Sequence, residues 1–501
     1  MGAEGPWQLW LWGLGWPAVL AALVLSLPRR WLPGAAWLAA LAGWGGLLVA
    51  LAWMALRPPP PLWVWWPGGA GGEVLAFALR ADPLGLGLAA ACVGLGLLVQ
   101  ASDGRAAEPT RGALGPLVGL FLAFLGGNLF TYAVGCLLWE VSWAVWAAEE
   151  GDLRRGRGFP GGVGVLLVLL LVAPASARLA FGGEEWPTWV RAGTALAGLW
   201  TAGVYPAVGP MGAAGGLPRG MRTLAWTVQP ALGLVLVARV WALGAVPGGS
   251  ALVAVLLLCA LLASLWAGEA SLARLAATRA ALLALGVCVA PGASRALPWA
   301  VLGFGLGLFL LEEDLLRGRF LDAGWALALG LLALAGFPLT PAFSWPVAGA
   351  ASATLLWWLG LVNAFALAPF VWEPRSPVWR LPRPSWREGG VALALAGLGA
   401  LALAFGPRVG WAEGAKAVGS VLGGGAGAVA LGWLRRQVPL VERLARGAAR
   451  AVDPLAWAQS IGGVGGRAGD GLRWALSLWE GRAALLWGMA LVGVIALALG
   501  W

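Results

Sequence analysis

The stretch LGGNLFTYAVGCLLWEVSWAVW, residues 125–146, places one glutamate, Glu140, inside a long run of apolar residues. Between Gly112 and Ala148 no other residue carries a charge. About 20 apolar residues are enough to cross the roughly 30 Å hydrocarbon core of a bilayer as a helix. A carboxylate in such a helix is costly, and it usually faces the protein interior beside a polar partner. The stretch therefore predicts a transmembrane helix that carries one buried acid.

The composition extends this prediction to the whole chain. Of its 501 residues, 60% are hydrophobic and only 11% are charged, whereas about a quarter of the residues of a soluble domain are charged. Apolar runs of membrane-spanning length recur from end to end, and the alternating pattern of a β-barrel strand is absent from the sequence. The sequence predicts an all-α polytopic membrane protein with about 14–16 transmembrane helices, two of them broken.

The positive charges are distributed as in a membrane protein. The net charge is +10, but the arginines lie in short loops between spans, so a nucleic-acid partner is not expected. Basic or arginine-bearing loops at 28–30, 103–111 and 149–158 alternate with loops at 57–73 and 181–187 that are acidic or contain few arginines. The positive-inside rule then places 149–158 in the cytoplasm and the N-terminus outside. We expect a multi-pass protein of a bacterial or archaeal inner membrane.

The sequence gives no indication of a cofactor or a metal site. It contains no histidine, which excludes histidine-ligated haem and histidine-based zinc sites. The four cysteines lie in apolar runs and form no CxxC pair, so they are interpreted as small buried side chains. These are Cys92, Cys136, Cys259 and Cys288.

Two segments predict broken helices. TAGVYPAVGP (201–210) and LAGFPLTPAFSWP (334–346) place Pro206, Pro338 and Pro341 inside runs that are otherwise helical. Proline removes a backbone donor and clashes with the preceding turn. Interrupted helices often mark an ion pathway in transporters, but transmembrane helices also carry prolines without transporting anything. Both interpretations remain open on the sequence alone.

The C-terminal part differs from the rest. RRQVPLVERLARGAARAVDP (435–454) has apolar residues at helical spacing with arginines between them, which is typical of an amphipathic helix on a membrane surface or of a basic linker. We expect a transmembrane core over 1–434, this helix or linker over 435–482, and a last transmembrane helix over 483–501.

Taken in order, these motifs resemble the antiporter-like subunits of the complex I superfamily. That group includes the proton-channel subunits of NADH–quinone oxidoreductase, the Mrp cation/proton antiporter subunits and membrane-bound hydrogenase subunits. The resemblance implies about 14 core helices with two broken ones in inverted repeats, and it places the functional glutamate of the fifth helix at Glu140. The matching segments cover nearly the whole chain: 77–100, 125–146, 217–240, 268–286 and 326–346.

The sequence departs from this family along its polar axis. The resemblance places the lysine of the seventh helix at Thr201 and the histidine of the eighth helix at Ala225. The axis of basic groups at the membrane centre is therefore expected to be erased, leaving Glu140 either protonated or paired with an arginine, which could belong to a neighbouring subunit. A proton-relay role and a neutral hydrogen-bonded carboxyl both remain open. The candidate relay residues are Glu140, Thr201, Tyr205, Thr227, Gln229 and the single lysine, Lys416.

The resemblance implies a membrane-arm subunit of a redox-driven, proton-translocating complex. Its partners would be other membrane subunits and the lipid bilayer. The chain would act in proton translocation or as a degenerate subunit with a structural role, rather than as an enzyme itself. Other antiporter-like assemblies are alternatives: a cation/proton antiporter, a hydrogenase or an inorganic-carbon uptake complex. A different class, an integral membrane enzyme acting on a lipid-linked substrate, would use the acids of LEEDLLRGR (311–319), namely Glu312, Glu313 and Asp314. The simpler interpretation of that segment is a solvated loop with local ion pairs.

Overall fold

Fifteen α-helices account for nearly all of the residues that the structure, a computed structural model, describes. The described residues are 16, 19–20, 32–56, 63–65, 77–103, 115–149, 186–204, 219–243, 249–266, 271–290, 293–316, 323–348, 353–371, 386–405 and 411–453. The helices are α1 (Leu32–Leu56), α2 (Pro83–Asp103), α3 (Gly115–Leu125), α4 (Leu129–Glu149), α5 (Thr188–Thr201), α6 (Arg219–Ala242), α7 (Gly249–Trp266), α8 (Leu272–Val289), α9 (Ala293–Leu316), α10 (Ala323–Ala335), α11 (Ser344–Ala348), α12 (Ala353–Val371), α13 (Trp386–Phe405), α14 (Trp411–Gln437) and α15 (Pro439–Ala451).

The apolar composition of these helices confirms the predicted all-α membrane fold. Within the described part of the chain, six helices are long and apolar enough to cross a bilayer, and six more are apolar but shorter. Helix α6 lies at the centre, because its apolar window is buried throughout, and it packs against α2, α5, α8 and α9. Helices α13 and α14 bury less than a third of theirs, which suits helices that face lipid or another subunit.

One short β-ribbon, which the sequence did not predict, lies before α2. Strand β1 (Trp63–Trp65) pairs antiparallel with β2 (Phe77–Leu79). The backbone N–H of Ala78 donates to the Thr131 hydroxyl over 2.8 Å, which ties the ribbon to the first turn of α4. The ribbon therefore anchors the loop between the first two described membrane helices without changing the helical character of the fold.

A buried ion pair holds three helix ends together. The Arg239 guanidinium, near the end of α6, contacts Asp82 Oδ2 through Nη2 at 3.1 Å. It also donates to the carbonyls of Phe124 (2.6 Å) and Gly126 (2.7 Å), which lie where α3 ends and lack helical partners. Asp82 Oδ1 accepts the N–H of Gly85 over 2.6 Å and so caps the start of α2. This pair fixes how α2, α3 and α6 meet.

Two of the short helices, α5 and α10, end in the same type of turn. Helices α5 and α10 contain 14 and 13 residues, about 20 Å at 1.5 Å per residue. Each is followed by a glycine in the left-handed region, Gly203 at φ 69° and Gly336 at φ 68°. A residue with a Cβ adopts this conformation only at a cost, whereas glycine does so readily.

The two ends are closed by the same pair of hydrogen bonds. In each, the glycine N–H and the next N–H return to carbonyls of the last helical turn, which is the Schellman arrangement. The bonds are Gly203 to Trp200 (3.0 Å), Val204 to Leu199 (3.1 Å), Gly336 to Ala333 (3.2 Å) and Phe337 to Leu332 (3.0 Å). Helix α5, in the first half of the described chain, and α10, in the second half, therefore end in the same type of turn.

The structure describes two of the three prolines that were predicted to break helices. Pro338 and Pro341 follow Gly336, and Pro341 opens a 3₁₀ turn that leads into α11. The helix of the second half is therefore broken where the sequence predicted. Pro206 and Tyr205 lie outside the described residues, so in the first half only the end of α5 at Thr201 is seen.

Helix α15 lies within the segment predicted as an amphipathic helix or linker. Leu440 and Leu444 are exposed on it, and Glu442 pairs with Arg446 one turn later at 3.5 Å. Residues from 454 onward, including the transmembrane helix predicted at 483–501, lie outside the described part.

Candidate functional site

Glu140 is buried inside the helix bundle. It lies on α4, and its residue is only 2% exposed. The helix begins at Leu129 because Asn128 caps it: Asn128 Oδ1 accepts the N–H of Thr131 over 2.8 Å. The apolar side chains of α4 pack against α3 and the core, so that the carboxyl group lies among buried neighbours.

The hydrogen-bond partner of Glu140 is an amide. Gln229 Nε2 donates to Glu140 Oε1 at 3.5 Å. The orientation of this amide is set by Trp139, whose indole N–H donates to Gln229 Oε1 over 2.9 Å. The other carboxyl oxygen, Oε2, is buried and has no hydrogen-bond partner among the described residues. The site is therefore an acid held by a neutral amide.

Tyr132 adds a third polar group to the same face of α4. Its hydroxyl is fully buried and donates to the carbonyl of Leu232 on α6 over 2.7 Å. Tyr132, Cys136 and Glu140 are spaced four residues apart, so they share one stripe of the helix. The sequence prediction missed Tyr132, although it lies two helical turns before Glu140 on the same face, which was a usable signal.

Among the remaining predicted relay residues, Thr201 and Thr227 are buried and Lys416 is exposed. Thr201 lies at the end of α5, and its hydroxyl has no hydrogen-bond partner within the described part of the chain. The Thr227 hydroxyl donates to the carbonyl of Thr223 over 2.8 Å, which is a local helix contact. Lys416 lies near the start of α14 on the protein surface. Of the predicted relay residues that the structure describes, which exclude Tyr205, only Glu140 and Gln229 are joined to each other by a hydrogen bond.

Glu312 lies in a buried ion pair rather than in a solvated loop. It is 1% exposed near the end of α9, and Arg222 Nε donates to its Oε1 at 2.5 Å. The Thr223 hydroxyl donates to Oε2, and the Arg222 guanidinium lies over the Trp226 ring at 5.6 Å. Both carboxylate oxygens are engaged, which leaves this acid poorly placed for the catalytic role that the sequence allowed. The side chains of Glu313 and Asp314 lie outside the described part.

One arginine that the sequence prediction did not include, Arg279, lies buried within the helix bundle. Arg279 is the eighth of the 18 residues of α8, a helix long and apolar enough to span a bilayer, and it is 3% exposed. Its Nη1 donates to Asn363 Oδ1 on α12, and its guanidinium lies over the Phe304 ring at 5.3 Å. Its Nε and Nη2 have no hydrogen-bond partner among the described residues.

A signal for Arg279 was present in the sequence. It is the only charged residue between Arg274 and Arg295, which is the same kind of isolation that drew attention to Glu140. The resemblance expects lysine or histidine at other positions, so it does not predict a basic residue at 279. Within the described residues no three side chains of His, Cys, Asp or Glu form a group that could hold a metal ion.

Comparison with known proteins establishes the fold. No protein-family model matches the sequence, and no curated protein matches it. Among solved structures, the chain is similar to a chain of the membrane-bound sulfane sulfur reductase, an archaeal respiratory membrane complex. The sequences are 16% identical, the TM-score is 0.63, and the match covers 84% of this chain and 99% of that one.

Two further structures show the same similarity. A chain of the Mrp complex from Dietzia sp. DQ12-45-1b is 18% identical with a TM-score of 0.67, and the match covers 98% of this chain but 63% of that one. A chain of respiratory complex I from Thermus thermophilus with bound NADH is 22% identical with a TM-score of 0.59, over 83% of this chain and 99% of that one. The resemblance inferred from the sequence is thereby confirmed at the level of the fold: the chain shares its helical architecture with chains of these three membrane complexes.

Proposed function

We propose that this chain is a membrane-arm subunit of a multi-subunit, redox-driven complex, and that its own proton transfer is weakened or lost. The architecture supports the first part, because two of the similar chains come from a respiratory membrane complex and from respiratory complex I. The buried polar groups around Glu140 support the second part.

The observation that carries the proposal is the environment of Glu140. Its hydrogen-bond partner is Gln229, and Thr201 and Ala225 stand where the resemblance expects a lysine and a histidine. A nearby cation would favour the ionised form of a buried carboxyl, whereas an amide leaves the cost of burying the charge largely in place. This environment suits a neutral carboxyl group, which has no charged neighbour to couple its proton to.

The arginines of the core do not replace the missing lysine as proton carriers. A guanidinium holds its proton more firmly than an ammonium group does, because its charge is delocalised over three nitrogens. Arg222 and Arg239 are also engaged in ion pairs with Glu312 and Asp82. They stabilise the helix bundle, which supports a structural role for the subunit.

Proton translocation by the reconstituted native complex, with Glu140→Gln in this chain, tests the proposal. The two side chains have nearly the same shape, and glutamine can keep the hydrogen bond to Gln229, so we expect the number of protons moved per electron pair to stay unchanged. A lower proton stoichiometry with unchanged electron transfer would contradict the proposal and assign Glu140 to a relay. Identification of the subunits that co-purify with the chain tests its place in a redox complex.

A cation/proton antiporter assembly is the second candidate. The similarity to the Mrp complex spans 98% of this chain and has a TM-score of 0.67. In that case, cation gradients applied to vesicles containing the native complex would drive proton movement without any electron donor. In either assembly we propose an inner-membrane protein with its N-terminus outside, in keeping with the arginine-bearing loop at 149–158.

A further inference from the structure

The guanidinium of Arg279 presents one complete edge without a hydrogen-bond partner. Nη1 is used by Asn363, whereas Nε and Nη2 are buried and unpartnered among the described residues. These two nitrogens form one side of the planar fork, with parallel N–H bonds that suit a single anionic acceptor. The stacking on Phe304 at 5.3 Å holds the plane of the fork in place.

The described acids of the core are engaged elsewhere. Asp82 pairs with Arg239, Glu312 with Arg222, and Glu140 is bonded to Gln229. No acid among the described residues lies within ion-pair distance of Arg279. A buried charge with no counter-charge is among the most costly features of a protein interior, and two orphaned donors add to that cost. The missing counter-charge and the two unpartnered N–H donors therefore belong to the same side chain, and one anion at the Nε and Nη2 edge would compensate both.

A small cavity lies beside this arginine. It has a volume of about 20 Å³ and is lined by Arg279, Asn363, Phe304 and Ser420, together with Gly336 at the break after α10. A single water-sized species needs roughly 10–15 Å³. The cavity therefore has room for one species of that size and no more, which excludes phosphate, carboxylates and lipid headgroups.

We propose that this cavity is a binding site for one small monovalent inorganic anion, with chloride as the natural occupant. A water molecule would accept the two N–H bonds but would leave the positive charge uncompensated. A halide accepts both bonds and also neutralises the charge in a region of low dielectric constant. The Ser420 hydroxyl donates to the Leu356 carbonyl over 2.6 Å, so Arg279 is the principal ligand. The site does not depend on the redox or antiporter assignment.

The thermal unfolding of the purified full-length chain, in chloride or in gluconate at constant ionic strength, tests the site. An anion that binds only the folded state raises Tm with the logarithm of its concentration. We expect a rise on the order of 1–2 °C per tenfold increase in chloride for a chain of this size. The Arg279→Gln variant should lose this dependence. Arg274→Gln, on the same helix and with the same change of charge but without a place in the cavity, should keep it.

Bromide soaked into crystals of the wild-type chain provides a readout that needs no variant. An anomalous peak is expected within hydrogen-bond distance of Arg279 Nε and Nη2. A wild-type chain with neither a chloride-dependent Tm nor a bromide peak would show that the cavity holds water, and the proposal would be overturned. It would equally be overturned if Arg279→Gln folded and retained the full chloride dependence.

Discussion

The two halves of the membrane core bury an acid and a base in similar settings. In the first half, Glu140 on α4 is held by the amide of Gln229 on α6. In the second half, Arg279 on α8 is held by the amide of Asn363 on α12. An amide carries both a donor and an acceptor, so the same type of side chain gives its N–H to the acid in one half and its oxygen to the base in the other. A buried amide on a neighbouring helix can therefore serve as the partner of an acid or of a base.

The order of the helices makes the correspondence closer. Each half contains one short helix that ends in a Schellman turn at a glycine, α5 in the first and α10 in the second. Each amide lies on the next long helix after that turn. Counting the helix predicted at 162–181, which lies outside the described residues, each charged residue lies two helices before the short one. The order is the one expected for the inverted repeats that the resemblance implies, with an acid in one half and a base in the other.

The largest expected effect comes from removing a charge that does have a partner. Asp82→Asn keeps the cap on α2 but leaves Arg239, whose side chain is 4% exposed, without its counter-ion. Breaking a buried pair in this way costs about 3–5 kcal/mol, and we expect a loss of that size in the free energy of unfolding, measured by denaturant titration in detergent. Glu442→Gln, in the exposed pair with Arg446 on α15, is the control and should change it by about 0.5 kcal/mol or less. If both variants lost the same free energy of unfolding, Arg239 would not depend on Asp82 for its counter-charge.

Exchanging each amide for an acid tests the difference between the acid site and the base site directly. Asn363→Asp supplies Arg279 with a counter-ion, whereas Gln229→Glu removes the N–H donor from Glu140 and places a second carboxyl group beside it. Because a counter-ion compensates a buried cation, whereas a lost donor leaves a buried acceptor unsatisfied, we expect the first variant to raise the free energy of unfolding and the second to lower it, each by about 1–3 kcal/mol. Thermal unfolding of the two variants in the same detergent measures the difference. A change of the same sign in both would contradict the assignment of an acid site in one half and a base site in the other.

The sequence predicted the buried acid Glu140 but not the buried base Arg279, and this difference has a physical cause. Glu140 was found because a lone acid in a span is costly and therefore conspicuous. Arg279 is just as isolated, but arginine loops elsewhere made basic residues common in this chain. The partners Gln229 and Asn363 lie 89 and 84 residues away from the charges they hold, and no local pattern encodes such a contact. The same holds for Asp82 and Arg239, which are separated by 157 residues.

The breaks in the short helices were predicted from proline alone, whereas the structure adds a glycine at each. Proline drew attention to 201–210 and 334–346, and the second break does contain Pro338 and Pro341. The turn that ends each helix is made by a glycine instead, because only the left-handed conformation at Gly203 or Gly336 brings two N–H groups back to the last carbonyls. Proline prevents the helix from continuing, and glycine determines where it stops.

The smallest predicted effect tests whether the two turns are equivalent. Gly203→Ala and Gly336→Ala each place a Cβ on a residue with φ near 70°, at a cost of about 1–2 kcal/mol. A Cβ at Gly336 would also lie 3.3 Å from the Ala342 carbonyl oxygen, so its loss in unfolding free energy should be at the upper end. Gly397→Ala on α13 is the control: its added Cβ meets no atom within 4 Å, and alanine favours a helix, so stability should be unchanged or slightly higher. The two turns would not be equivalent if Gly336→Ala lowered the free energy of unfolding and Gly203→Ala left it unchanged, as in the control. The turn after α5 would then adapt to a Cβ more easily than the turn after α10, despite the same hydrogen-bond pattern.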